Sequence, residues 1–254
     1  MSNVSSKPPG RSWNPWLSLL AVILIYFLSQ AVAGLLISLY PALRGWSLAR
    51  ITLWLDNSVS AQFAYFAITG GLILGSVYAY LRAFNISPAA IGLRRPRWSD
   101  LLYGLAALPL YFVLYVVTVG LVSHFVPGLN INQTQDLGFN NVHGALALSL
   151  TFASLVILPP LTEEIMMRGL LYSSLRKAMP VVTAGVVTSA LFAIAHLPEG
   201  GSGGPLYIAA LDTFVLGLVL VYLRQKTDGL WASMSLHALK NGIAFIALFL
   251  VHVR

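Results

Sequence analysis

Long apolar runs dominate this chain and restrict what it can fold into. Hydrophobic residues make up 57% of the chain and charged residues only 9%, which excludes an ordinary soluble domain. Seven runs approach the roughly 20 residues that a helix needs to cross a bilayer, although the fifth is short. They lie at 15–39, 60–81, 101–122, 145–170, 181–196, 206–223 and 230–251. Because backbone groups inside a bilayer must be paired within the chain, we predict an all-α polytopic transmembrane bundle of roughly seven to eight helices.

Two further stretches complete the predicted organisation. Residues 46–55 are apolar but lie among Arg44, Arg50 and Asp56, so we predict a helix at the membrane surface rather than part of an eighth crossing. Residues 1–13 are rich in Ser, Pro and Gly and are expected to form a disordered cytoplasmic tail. Residues 14–254 would then be a single transmembrane domain.

The basic residues predict the orientation of the bundle. With a cytoplasmic N-terminus, the outer connections carry only Arg44 and Arg50 before the C-terminal Arg254. The inner connections carry all of the following: Arg82, Arg94, Arg95, Arg97, Arg176, Lys177, Arg224 and Lys226. This bias predicts a multi-pass integral membrane protein with its N-terminus in the cytoplasm, in the plasma or inner membrane if the source is bacterial. The net charge of +7 is explained by these connections, so we predict no nucleic-acid partner.

Adjacent carboxylates stand near the end of the fourth apolar run. Glu163 and Glu164 are two of only eight acidic residues, and a charge facing lipid costs several kcal/mol. On a helix, Glu164 and Arg168 share a face and can pair, whereas Glu163 points roughly 100° away. One carboxylate can therefore be structural and the other reactive. The alternative is that both lie at the water interface and complement Arg168.

Two later runs carry polar side chains where lipid would not tolerate them. His196 ends the fifth run, one turn after Phe192, while His237 and Asn241 share a face of the last run. This set suits hydrolysis of an amide. A partly desolvated Glu163 would be the general base that takes a proton from water, and His196 would hold that water or share the proton. His237 and Asn241 would supply donors to the developing oxyanion.

Other features of these runs have structural explanations. The absence of cysteine excludes a thiol nucleophile, and Ser189 and Ser235 lie in no recognisable nucleophile elbow, which favours direct attack by water. Asp212 lies within the sixth run, where we favour a structural role: it would line the same cavity or pair with Lys240 or Arg168. His196 alone would more often be an interfacial or core histidine.

Small residues and prolines predict local geometry. Gly71 and Gly75, four apart, would let one helix approach another closely. The pair Pro159-Pro160 directly before the glutamates is expected to kink the fourth helix and to open its backbone at the site.

At these residues the sequence resembles the CPBP family of intramembrane endopeptidases. That family includes the type II CAAX prenyl proteases and the bacteriocin-processing and immunity proteins. Its motifs occur here in order as Glu163-Glu164…Arg168, Phe192…His196 and His237…Asn241. The resemblance covers roughly residues 145–247, which would be the catalytic part of the domain.

The resemblance implies a membrane protease that cuts a membrane-associated or prenylated, CAAX-type peptide or protein. Its partners would be that peptide or lipidated protein and the lipid bilayer. It assigns the general base to Glu163, water positioning to His196, and oxyanion stabilisation to His237 and Asn241. Glu164, Arg168 and Phe192 are implied as supporting residues.

Metal dependence stays open at this point. Glu163, His196 and His237 offer three N/O ligands for a zinc ion with one open position. The sequence has no His-Glu-x-x-His helix, however, and the resemblance also fits a metal-free glutamate mechanism. We therefore predict no cofactor and keep a divalent metal as the alternative.

Two other classes of protein use similar residues. A non-proteolytic scaffold or bacteriocin-immunity protein could bind a peptide or a membrane partner with the same fold. A proton-coupled transporter would also place glutamate and histidine within the bilayer, but the sequence lacks the internal symmetry that such carriers show.

Overall fold

The chain forms a helical bundle, as predicted. The computed structural model describes residues 13–133, 135, 138–199 and 204–251, so the predicted tail lies outside the described residues apart from Trp13. The helices of the described ranges are α1 (Pro15–Leu43), α2 (Leu48–Asn57), α3 (Val59–Ala83), α4 (Trp98–Phe125), α5 (Gly144–Leu175), α6 (Val181–Ala195), α7 (Tyr207–Thr227) and α8 (Trp231–Leu250). A 3-10 turn at Pro88–Ile91 precedes α4.

Seven of the described helices, all except α2, are long and apolar enough to cross a membrane. This confirms the seven predicted spans. Helix α2 has ten residues, all at least partly exposed, and at about 15 Å it is too short to cross a bilayer. Arg50 lies over the ring of Trp46 at 4.2 Å, as suits a helix at a membrane interface. Its location there remains a prediction, as does the division of the chain into tail and single domain.

Helix α7 is the central helix of the bundle. Its most apolar window is 56% buried, whereas that of α4 is only 11% buried. Close approaches to its neighbours depend on glycine: a Cβ at Gly217 of α7 would lie 2.8 Å from the Cβ of Ser189 in α6. Similarly, a Cβ at Gly104 of α4 would lie 2.9 Å from the backbone nitrogen of Leu236 in α8. The first contact holds α6 against α7, and the second holds α4 against α8.

The prediction that Gly71 and Gly75 mark a close helix contact is wrong. Among the described atoms outside its own helix, none lies within 4 Å of a Cβ built at either position. The close approach is at the neighbouring Gly70 instead, where an added Cβ would lie 3.1 Å from the methyl group of Thr162 in α5. A pattern of small residues shows where a helix can be approached, but not which of its faces is used.

Helix α5 continues through Pro159 and Pro160. π-helical segments at Ala153–Ile157 and Ile165–Tyr172 lie on either side of the α-helical Leu158–Glu164. The carbonyl of Leu155 would be paired with residue 159 in an α-helix and with residue 160 in a π-helix, and neither proline has an N–H. Asn241 of α8 supplies the missing donor, since its Nδ2 lies 2.9 Å from that oxygen.

Candidate active site

The two adjacent glutamates have different partners. Glu164 Oε1 accepts hydrogen bonds from Arg168 Nη1 at 2.9 Å and from His237 Nδ1 at 3.1 Å. The side chains of Glu164 and Arg168 are fully buried, and the guanidinium lies 4.3 Å from the centre of the Phe192 ring. The predicted pair on one helix face is confirmed. It places Glu164 and Arg168 behind the site, whereas Phe192 also lines the cavity described below.

Glu163 faces away from this cluster. One of its oxygens, Oε2, lies 3.9 Å from His237 Nε2, and its side chain is 21% exposed. Within the described part of the chain, no group donates a hydrogen bond to this buried oxygen. The carboxylate is therefore available to accept a proton from a bound molecule.

Both histidines are oriented by bonds at Nδ1. His196 caps the C-terminus of α6, and its Nδ1 lies 2.8 Å from the carbonyl of Phe192. A carbonyl oxygen can only accept a hydrogen bond, and the Glu164 carboxylate, paired with Arg168, also acts as an acceptor. Nδ1 therefore carries the hydrogen in both rings. Each neutral ring then presents a lone pair at Nε2. His237 directs Nε2 towards Glu163, and His196 directs it towards Glu199 at 3.8 Å.

A cavity of about 180 Å³ brings the four predicted catalytic residues together. Its polar lining includes Glu163, His196, His237 and Asn241. One N–H of the Asn241 amide is bonded to the Leu155 carbonyl, which leaves the second N–H of that group for a ligand. The rest of the lining is mainly apolar and comes from α3, α5, α6, α7, α8 and two connections between helices.

Sequence reasoning missed part of this lining. Glu199 accepts a hydrogen bond from Gln135 at 2.6 Å. Lys240 pairs with Asp212 at 2.8 Å, and Tyr111 donates to the same carboxylate. Asp212 thus lines the cavity and pairs with Lys240, two of the roles considered for it, rather than with Arg168.

The missed residues differ in how visible they are in the sequence. Glu199 follows His196 by three residues, and Lys240 directly precedes Asn241, so their positions beside the motifs were available signals. Gln135 lies in a connection far from every motif, and no sequence pattern points to it.

The residues implied as metal ligands are of the right chemical type for a metal ion, but they are not grouped closely enough to hold one. Neutral imidazoles held at Nδ1, with Nε2 exposed beside a carboxylate, are usual zinc ligands. In the described ranges, however, no group of three or more His, Cys, Asp or Glu side chains is close enough together to hold a metal ion. Glu163, His196 and His237 therefore form no preassembled metal site, and we derive no step through one.

The fold and the cavity define a multi-pass helical membrane protein whose spans enclose a glutamate- and histidine-lined site. Residues 145–243 match the family described as Rce1-like, type II CAAX prenyl endopeptidase. The match contains every motif residue named above, and it confirms the resemblance to the CAAX-type intramembrane proteases over these residues. The chain matches no curated protein and no solved structure.

Proposed function

We propose that the protein is an intramembrane endopeptidase that hydrolyses a peptide bond of a membrane-associated or prenylated, CAAX-type peptide or protein. The observation that carries this proposal is the contrast between the two glutamates. Glu164 accepts hydrogen bonds from Arg168 and His237, whereas Glu163 lines the cavity and its Oε2 has no donor among the described residues. A structural ion pair with Arg168 needs only Glu164. A catalytic role explains why a second carboxylate, Glu163, lies beside it.

In the proposed mechanism, Glu163 takes a proton from a water molecule, and the water oxygen attacks the carbonyl carbon of the scissile amide. The lone pair at His196 Nε2 accepts the water's second hydrogen and orients the attack. The tetrahedral intermediate then collapses. The C–N bond breaks, and the leaving nitrogen takes the proton from Glu163, which restores the carboxylate.

Two side chains are proposed to stabilise the oxyanion of the intermediate. Asn241 would donate its second amide N–H. His237 can donate from Nε2 only when its ring is doubly protonated, because Nδ1–H is already directed at Glu164.

Cleavage of a peptide panel by the purified protein in detergent tests this function. The panel contains farnesylated and unmodified versions of the same C-terminal peptides, and each is assayed with and without a chelator. We expect wild type to cut at least one peptide, and to keep its activity after chelation. A protein that binds panel peptides without cutting any would contradict the protease proposal and support the scaffold alternative. Activity that chelation removes and zinc restores would contradict the metal-free mechanism.

A further inference from the structure

The cavity lies in one half of the bundle. Helix α6 contributes its C-terminal end, α7 its N-terminal half and α8 its C-terminal part. At this end the helices are joined by residues 126–143 and 196–206, and these two connections provide Gln135 and Glu199 to the lining. The cavity therefore extends to the connections at this end of the bundle, which we call the open end.

The opposite half of the bundle is closed by packed side chains. Arg168, Leu170, Leu171 and Leu230 are all fully buried there. The last three belong to one apolar core that α5 forms with the start of α8. A peptide cannot reach Glu163 through this closed end without unpacking that core.

Basic residues are concentrated at the closed end. The connections there, with the adjoining helix ends, carry Arg82, Arg94, Arg95, Arg97, Arg176, Lys177, Arg224 and Lys226. At the open end, residues 126–143 and 196–206 contain no Lys or Arg, and only Arg44 and Arg50 lie between α1 and α3. Such a bias normally places the basic end in the cytoplasm.

We propose that the cavity opens to the extracytoplasmic side of the membrane. Its substrate is then an exported peptide, or an extracytoplasmic segment of a membrane protein. This narrows the proposed function to membrane-associated substrates and excludes a prenylated chain terminus exposed to the cytoplasm. The statement about the substrate rests on the proposed protease function. The statement about the cavity rests on the bundle and its charges alone.

Single cysteines can test the orientation directly, because the chain contains no cysteine. Asn132→Cys marks the open end, while Ala89→Cys and Ala178→Cys mark the closed end. All three positions are exposed and lie outside the cavity. With a membrane-impermeant maleimide added to intact cells, we expect labelling of Asn132→Cys only, and labelling of the other two after permeabilisation. The reverse pattern would overturn the proposal.

Access to the cavity itself is tested with Ala209→Cys, which lies in the lining. A small charged methanethiosulfonate reagent should modify this cysteine in intact cells at the rate seen after permeabilisation. Modification that begins only after permeabilisation would show that the cavity opens to the cytoplasm. The unsubstituted chain is the control, since it has no thiol to react.

The substrate statement needs a separate measurement. A peptide that the purified protein cuts in detergent is added outside sealed vesicles whose orientation is fixed by Asn132→Cys labelling. Vesicles with the open end outward should cut it without permeabilisation, and cutting only after permeabilisation would overturn the proposal. A protein that cuts no peptide in detergent contradicts the protease function instead, while the labelling results still decide which side the cavity faces.

Discussion

At the scale of single residues, the site depends on a division of roles between two neighbouring carboxylates. Glu164 accepts bonds from Arg168 and His237, and it thereby fixes the ring that faces Glu163. The spacing of Glu164 and Arg168 was sufficient to predict their pairing, because residues four apart share a helix face. The bond from His237 was not predictable in the same way, since it joins helices far apart in sequence.

Removing one partner of the buried pair should be strongly destabilising. Arg168→Ala leaves Glu164 buried with an uncompensated charge, which costs about 3–5 kcal/mol in comparable sites. We expect a clear fall in the thermal unfolding temperature in detergent. The double variant Glu164→Gln/Arg168→Met leaves no unpaired charge and should recover part of the loss. A double variant as unstable as Arg168→Ala would contradict this account.

His237 offers a test of the oxyanion donor. His237→Gln keeps an N–H donor that does not titrate, whereas His237→Ala removes the donor, so the glutamine variant should retain more turnover. If the doubly protonated ring is the active form, wild-type turnover falls as the pH rises through the titration of His237. That alkaline fall should be absent in His237→Gln. An unchanged pH profile in the glutamine variant would argue against His237 as the titrating donor.

At the scale of elements, the prolines of α5 and the asparagine of α8 act together. Hydropathy was sufficient to predict where the spans lie, because it depends only on composition along the chain. Hydropathy did not predict the π-helical segments. A backbone that bonds residues five apart instead of four apart has the same sequence and therefore the same hydropathy. The two prolines free the Leu155 carbonyl in either register. Its bond to Asn241 was not predictable, because that bond joins helices far apart in sequence.

A double-mutant cycle tests whether this bond positions Asn241. Pro159→Ala restores an N–H that competes for the Leu155 carbonyl and frees the Asn241 amide to rotate. We expect Asn241→Ala to lower kcat by roughly 10²–10³-fold, as for other oxyanion donors. Pro159→Ala should have a smaller effect on kcat.

The decisive comparison in this cycle is Pro159→Ala in the Asn241→Ala background, where it should have no further effect on kcat. Equal effects of Pro159→Ala in both backgrounds would show that the proline does not act through Asn241. The same cycle on unfolding temperature reports the bond even without a turnover assay.

At the scale of the whole molecule, the N-terminal helices support a site to which they contribute few residues. The family match begins at α5, yet α4 packs against α8 through Gly104, and Tyr111 of α4 holds Asp212. Sequence reasoning treated this half of the chain only as apolar spans. Which helix faces meet is decided by side-chain fit in three dimensions, and the wrong prediction for Gly71 and Gly75 shows this limit.

Matched glycine substitutions test this packing. Gly104→Ala places a Cβ against the backbone of α8, which cannot rotate away, so α4 and α8 must separate. We expect a lower unfolding temperature and a lower turnover. Gly71→Ala, with open space around it, should be neutral or should stabilise by about 0.5–1 kcal/mol. Equal effects of the two substitutions would contradict the observed packing.

The central claim is that Glu163 activates water, and the most direct test is turnover by Glu163→Gln of a peptide that wild type cuts. Glutamine keeps the size of the side chain but cannot take the proton. We predict that kcat falls by at least about 10²-fold, while the unfolding temperature stays near that of wild type. Turnover within a few-fold of wild type in the folded variant would contradict it.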